Sequence, residues 1–235
     1  MTTIPDRLAL AQHRIEQAAQ KSTRNADDIQ LLAVSKTKPV SQIIEAYTAG
    51  QKRFGENYVQ EGEQKVQNLS QDYPDIEWHF IGPLQSNKTK VIANLFDWMH
   101  TVEREKIANR LNEQRPEHLD ALNVCIQVNI SQEESKSGIK VADIAALAEK
   151  IHALPNLNLR GLMAIPSVNV DNVTAAAELA QLQKQYQQLA QKYPNVDTLS
   201  VGMSNDLELA VAHGSTMVRI GSAIFGARDN SQHKG

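Results

Sequence analysis

An alternation restricts this chain more than any single motif. Short apolar runs at 31–35, 52–54, 77–81, 98–102, 121–130, 158–165, 197–201 and 216–220 are separated by longer amphipathic stretches. A short apolar run bounded by turn residues reads as a buried strand, and apolar residues three and four apart read as one helix face. Helices are expected at 4–20, 41–49, beyond Asn57 to about 69, 86–95, 103–114, 141–153, 172–192 and 204–213. Ile4, Leu8, Ala11, Ile15 and Ala18 draw the first stripe, with Pro5 placed for its first turn. Eight strands with eight helices, one of them ahead of the first strand, is the count of a closed (β/α)8 TIM-type barrel. The 235 residues sit near the ~250 typical of that fold. A doubly wound open sheet is the alternative, but the first strand lacks the glycine-rich turn of a dinucleotide site. No linker, low-complexity tract or repeat interrupts the pattern. Residues 1–235 are therefore expected to form a single domain, with a frayed tail from about 227 and no second β domain.

Composition excludes several classes of function. A net charge of -3 gives no footprint for nucleic acid or an anionic membrane. No apolar run approaches the length of a membrane span, and the N-terminus, with Asp6, Arg7, Arg14 and Glu16, lacks the core of a signal peptide. Cys125 lies in an apolar run with no intrachain partner, and an inert buried thiol is expected. No His/Cys/Asp cluster has metal-ligand spacing. These features together point to the cytoplasm.

In a barrel of this kind the strand C-terminal ends share one face, and that face carries function. The first strand delivers Lys36, just before the helix-breaking Pro39. A lysine desolvated there is a nucleophilic amine suited to a Schiff base; the plainer reading is a strand-ending lysine in water. The second strand delivers Asn57, the sixth Met163, the seventh Gly202-Met203-Ser204, and the eighth Arg219 followed by Gly221-Ser222. Loops after strands seven and eight often build a phosphate site in such barrels. Here both pair a glycine with a hydroxyl, and Ser204 is expected to open a helix. Singly, Ser204 is also an ordinary helix cap and Gly221 an ordinary turn residue. A lysine facing a phosphate cup accommodates a phosphorylated aldehyde, of which pyridoxal phosphate is the commonest cofactor. His79 and His100 read as hydrogen-bonded core histidines, and Lys38, Lys88 and Lys136 as solvated.

Val34-Ser-Lys36-Thr-Lys-Pro39, Phe54-Gly-Glu-Asn57-Tyr-Val-Gln-Glu61, Trp78-His-Phe-Ile-Gly82 and Leu84-Gln-Ser-Asn-Lys88 resemble the YggS-type pyridoxal phosphate homeostasis proteins. So do Gly161-Leu-Met163, Gly202-Met-Ser204 and Val218-Arg-Ile-Gly221. The likeness runs from about residue 30 to 226 in order and spacing. Pro83 and Val201 depart from a histidine and a methionine common in the family, at positions without proposed chemistry. The resemblance implies a barrel of the fold type III kind, like the cofactor domain of alanine racemase. It implies pyridoxal phosphate bound covalently to Lys36, and a phosphate cup of Ser204, Gly221 and Ser222 with Ser200 assisting. It further implies Arg219 at the pyridine nitrogen, Asn57 beside the ring and Met163 against its face.

Three functions compete at this point. A carrier would store pyridoxal phosphate and deliver it to apo-enzymes, acting as a monomer and without turnover, so that no residue is catalytic. A racemase or decarboxylase would need an acid or base opposite Lys36, which related enzymes take from a partner's second domain. A Schiff-base aldolase would use Lys36 without a cofactor. The carrier is the expected function, with the 131–138 loop and Lys136 as a handover point.

Overall fold

The computed structural model of the chain describes residues 2–133, 135–167 and 170–227; from residue 228 the expected tail lies outside them. Eight parallel strands close into one barrel in sequence order, so the open-sheet alternative is excluded. They are β1 (Gln30–Val34), β2 (Arg53–Glu56), β3 (Glu77–Phe80), β4 (Trp98–Val102), β5 (Leu122–Val128), β6 (Leu157–Ala164), β7 (Thr198–Ser200) and β8 (Met217–Ile220). The barrel shuts where β8 pairs with β1, from Gln30 against Met217 to Ala33 against Ile220. Helix α1 (Ile4–Lys21) precedes β1. It starts at Thr3 because Thr3 and Asp6 cap each other's backbone N–H groups, with Pro5 in the first turn. Around the barrel follow α2 (Val40–Thr48), α3 (Val59–Leu69), α4 (Thr89–Leu95), α5 (Glu105–Gln114), α6 (Ile144–His152) and α7 (Asn172–Lys192). After them come α8 (Leu207–Ala212), before β8, and α9 (Ser222–Phe225).

Two expectations need correction. The helix expected from 204 begins at Leu207, and Ser204 does not cap it. Asp206 Oδ1 accepts the Met203 N–H at 2.7 Å, a local side-chain bond that turns the backbone instead of letting it wind. Conversely, the stretch after β8 winds into the single-turn α9, with Gly221 as its N-cap.

The main apolar core lies between strands and helices, where Phe54, Phe80, Ile92, Phe96, Leu111 and Ile126 are fully or almost fully buried. Two small groups stand apart from it, Leu32–Ile81–Met217 and Trp98–Cys125–Met163. Leu32 pairs in register with Arg219, which places the first group on the barrel's inner side with that arginine. His79, His100 and Ser200 are buried with them. Burial pushes the Cys125 thiol up to about 12, so it is inert, as expected. Among the described residues no helix is long and apolar enough to cross a membrane, and no group of three or more His, Cys, Asp or Glu could hold a metal.

Candidate functional site

A cavity of about 360 Å³ opens at the mouth formed by the strand C-terminal ends. Lys36 and Asn57 reach it from the ends of β1 and β2, Met163 from β6, Ser204 from the turn after β7. Arg219 enters from β8, and Gly221 and Ser222 from the start of α9. Seven of the eight residues expected from sequence thus share one space, and Ser200 does not. Lys36, Lys38 and Arg219 bring positive charge, and no carboxylate is among the described lining residues. Such a cavity favours an anion.

The Lys36 side is built on buried charge. Lys65, 6% exposed on α3, donates to Ser35 O at 2.8 Å, to Glu56 Oε1 at 2.8 Å and to Glu61 Oε1 at 2.6 Å. Ser35 Oγ donates to the same Glu56 oxygen at 2.5 Å. Thr37 sits at φ 62, a left-handed conformation costing a side-chain-bearing residue roughly 1–2 kcal/mol. The Thr37 N–H donates to Glu61 Oε1 at 2.6 Å, which holds it there. Burial raises the Glu56 carboxyl above its ordinary value although Lys65 pulls the other way, and Glu56 Oε2 has no partner. From the sequence, Glu61 and Lys65 look like a surface i,i+4 pair. The packing of α3 on β2 buries Lys65 and half-buries Glu61.

Asn57 is positioned by a close approach. A Cβ on Gly82 would come within 1.9 Å of Asn57 O, so glycine is required where β3 ends beside the Asn57 backbone. Asn57 lines the cavity, and its buried Oδ1 has no hydrogen-bond partner among the described residues. A buried polar atom without a partner is rare in folded proteins and fits a donor supplied by a ligand.

The loops carrying Ser204 and Ser222 are both propped by α1. Arg14 Nη2 donates to Ser204 O at 3.0 Å while the guanidinium grips Glu208, and Arg7 Nη1 donates to Ile224 O at 3.2 Å. Arg7 and Arg14 lie seven residues apart, two turns along one helix face. In the sequence they show only as charges at the N-terminus. Gly202, at φ 102, lets the chain leave β7, and its carbonyl accepts the Arg219 N–H at 2.9 Å.

Arg219 is 5% exposed and spends three of its five N–H donors on the protein. Nη1 donates to Ser200 O at 2.7 Å and Ser200 Oγ at 3.0 Å, and Nη2 to Ala164 O at 3.0 Å. Burial pushes the guanidinium down to about 10, still protonated at neutral pH. Ser200, expected to assist the phosphate cup, is not among the described lining residues of the cavity: its hydroxyl stands beside the Arg219 guanidinium, inside the barrel. It also bonds His100 Nδ1 at 2.9 Å. His100 Nε2 lies 2.8 Å from His79 Nδ1, and His79 Nε2 lies 2.7 Å from Glu77 Oε1. Both histidines are hydrogen-bonded core residues, as expected. Lys38, Lys88 and Lys136, expected to be solvated, are half-buried. Lys38 donates to Ala227 O at 2.8 Å, and Lys136 to Pro166 O at 3.1 Å while pairing with Glu133 at 2.8 Å.

Known proteins bear directly on this arrangement. A family model described as alanine racemase, N-terminal domain, matches residues 7–229. The pyridoxal phosphate homeostasis protein of Vibrio cholerae is 57% identical over 94% of this chain and 94% of its own length. The chain belongs to this family. The Escherichia coli member is 53% identical over 99% of this chain and 100% of its own. PipY of Synechococcus elongatus, solved with PLP bound, superposes at a TM-score of 0.80 with 36% identity, covering 95% of this chain and all of PipY. Alanine racemase from Corynebacterium glutamicum shares the fold at a TM-score of 0.70 with 16% identity, and this chain covers 62% of it.

Proposed function

We propose that this chain binds pyridoxal 5'-phosphate through Lys36, holds it, and releases it to other proteins without turning over a substrate. The observation that carries this reading is the cavity itself. The amines of Lys36 and Lys38, the hydroxyls of Ser204 and Ser222, the buried Arg219 guanidinium and the Asn57 amide share a space whose described lining has no carboxylate. When bound, pyridoxal phosphate supplies an aldehyde that condenses reversibly with a primary amine and releases water. Lys36 provides that amine, aimed by the bonds that fix Ser35 and Thr37. Ser204, Gly221 and Ser222 hold the phosphate, Asn57 Oδ1 accepts from the ligand, and Met163 packs against the ring. Arg219 faces the ring nitrogen. Being protonated at neutral pH, it donates to that nitrogen instead of giving it a proton, which makes the ring a weak electron sink. The described lining also lacks a histidine, tyrosine, cysteine or carboxylate to serve as acid or base for amino-acid chemistry. Both features support holding over turnover.

The names of the homeostasis proteins and the PLP-bound PipY support the same reading. Delivery to apo-enzymes is the natural use of a reversibly held cofactor. The protein is taken as a cytoplasmic monomer.

The test loads the protein with pyridoxal phosphate, reduces it with borohydride and maps the modified peptide. Label on Lys36, with Lys36→Ala losing the visible absorption band entirely, is expected. A full band retained in Lys36→Ala, with label at another lysine, would overturn the assignment. The loaded protein is then mixed with an apo pyridoxal-phosphate enzyme. Recovery of activity faster than spontaneous release is expected, and saturable turnover of an amino acid, abolished by Lys36→Ala, would make the protein an enzyme.

A further inference from the structure

The barrel interior holds a continuous polar chain of which the proposed function uses only the Arg219 end. It runs from Arg219 at the cavity through Ser200, His100 and His79 to Glu77 at the start of β3, on the opposite barrel end. Its four links measure 3.0, 2.9, 2.8 and 2.7 Å. Ser200, His79 and His100 are fully buried, whereas Glu77 is 36% exposed.

The direction of every bond follows from its two ends. Arg219 can only donate, so Ser200 Oγ accepts from it and must offer its own hydrogen elsewhere. The acceptor within reach is His100 Nδ1, which is therefore unprotonated. His100 then carries its hydrogen on Nε2 and donates to His79 Nδ1, and His79 carries its hydrogen on Nε2 and donates to Glu77. Glu77 closes the chain as a carboxylate. Burial raises its pKa, but the His79 hydrogen bond and Arg53 outweigh this and hold it below the usual range. Burial holds both imidazoles below their ordinary value and so neutral, which this assignment requires. Reversing one link would leave two donors or two acceptors facing each other among fully buried side chains.

We propose that Ser200, His100, His79 and Glu77 are positioning residues that lock the Arg219 guanidinium toward the cavity and balance its charge with a carboxylate at the far end of the barrel. The lock sets the donor that meets the ring nitrogen of a bound pyridine, a role that rests on the pyridoxal phosphate reading above. A merely structural role would need packing but no fixed polarity. The lock requires both histidines in the same tautomer, and it requires an anion at Glu77.

The experiment uses the full chain with and without added pyridoxal phosphate. Nitrogen-15 NMR of the unliganded protein should show His79 and His100 both neutral and both protonated on Nε2. Glu77→Gln, half-exposed and far from the cavity, should disturb those tautomers and shift the Arg219 side-chain nitrogens. With cofactor, the same variant should shift the visible band and weaken binding roughly two- to tenfold, the range for one hydrogen bond. Arg53→Gln removes the other partner of Glu77 Oε1 but leaves the relay, and should leave the band in place. An Nδ1-protonated histidine, or Glu77→Gln spectra matching the wild type at Arg219, would overturn the relay. Wild-type protein that takes up no pyridoxal phosphate would end the functional reading, while the histidine and Arg219 signals still decide the relay.

Discussion

The β1 and β8 flanks of the cavity each bring forward a cation, and they secure it in opposite ways. On the β1 flank the bonds grip the main chain on both sides of Lys36, at Ser35 and Thr37, through Lys65, Glu56 and Glu61 packed behind it. On the β8 flank they grip the side chain of Arg219 itself, through a hydroxyl and two neutral imidazoles. The first flank is a compact knot of full charges, and the second a long neutral line with its carboxylate at the far end. A side chain meant to form and break a bond is placed by fixing its backbone. One meant to stay put is placed by saturating its head group.

The sharpest way to break this contrast is to remove the charge at the centre of the knot. Lys65→Met keeps the aliphatic stem but leaves Glu56 buried without its cation, which costs roughly 3–5 kcal/mol in comparable sites. Urea unfolding at pH 7 should show a loss of that order. The deficit should shrink in acid, because Glu56, with its raised pKa, can take a proton instead. A loss under about 1 kcal/mol would mean that the knot does not anchor the β1 end.

A smaller effect probes the phosphate loops. Ser204→Ala should weaken pyridoxal phosphate but leave unphosphorylated pyridoxal nearly unchanged, since a hydrogen bond to a charged group contributes about 1.5–3 kcal/mol. Titration of the visible band with both ligands reads the difference. Equal weakening of both would place Ser204 in the loop's structure and not at the phosphate.

The smallest effect separates the flanks by sign. His79 and His100 are held below the ordinary imidazole value of 6.5 by burial. Below that pH the unfolded chain takes up protons that the folded chain does not, so stability rises with pH through this range and then levels. Glu56 is raised, so its contribution runs the other way and falls as pH climbs past its ordinary 4.5. Wild-type stability should drop by roughly 1 kcal/mol from pH 7 to pH 6, and His100→Gln should lose about half of that dependence. Identical slopes for the two proteins would show that His100 charges freely in the fold.

Periodicity and punctuation determined the barrel. Strands at 98–102 and helices at 172–192 are local patterns, and a strand-ending lysine or an arginine two residues before a glycine can be read without knowing what lies opposite. The start of α8 was misplaced because the Asp206 carboxylate takes the Met203 N–H and turns the backbone there, a turn that Arg14 of α1 then holds at the Ser204 carbonyl. The tertiary structure alone decided which charges are buried. Lys65 and Glu56 are spaced along the sequence as solvated residues would be, and the histidines read as core without showing that Glu77 joins them. Burial depends on which faces of α3, β2, β3 and β4 meet when the barrel closes. The placement of Ser200 follows the same reason: a three-residue strand does not reveal which side chains face the mouth, and register with the neighbouring strands sets it.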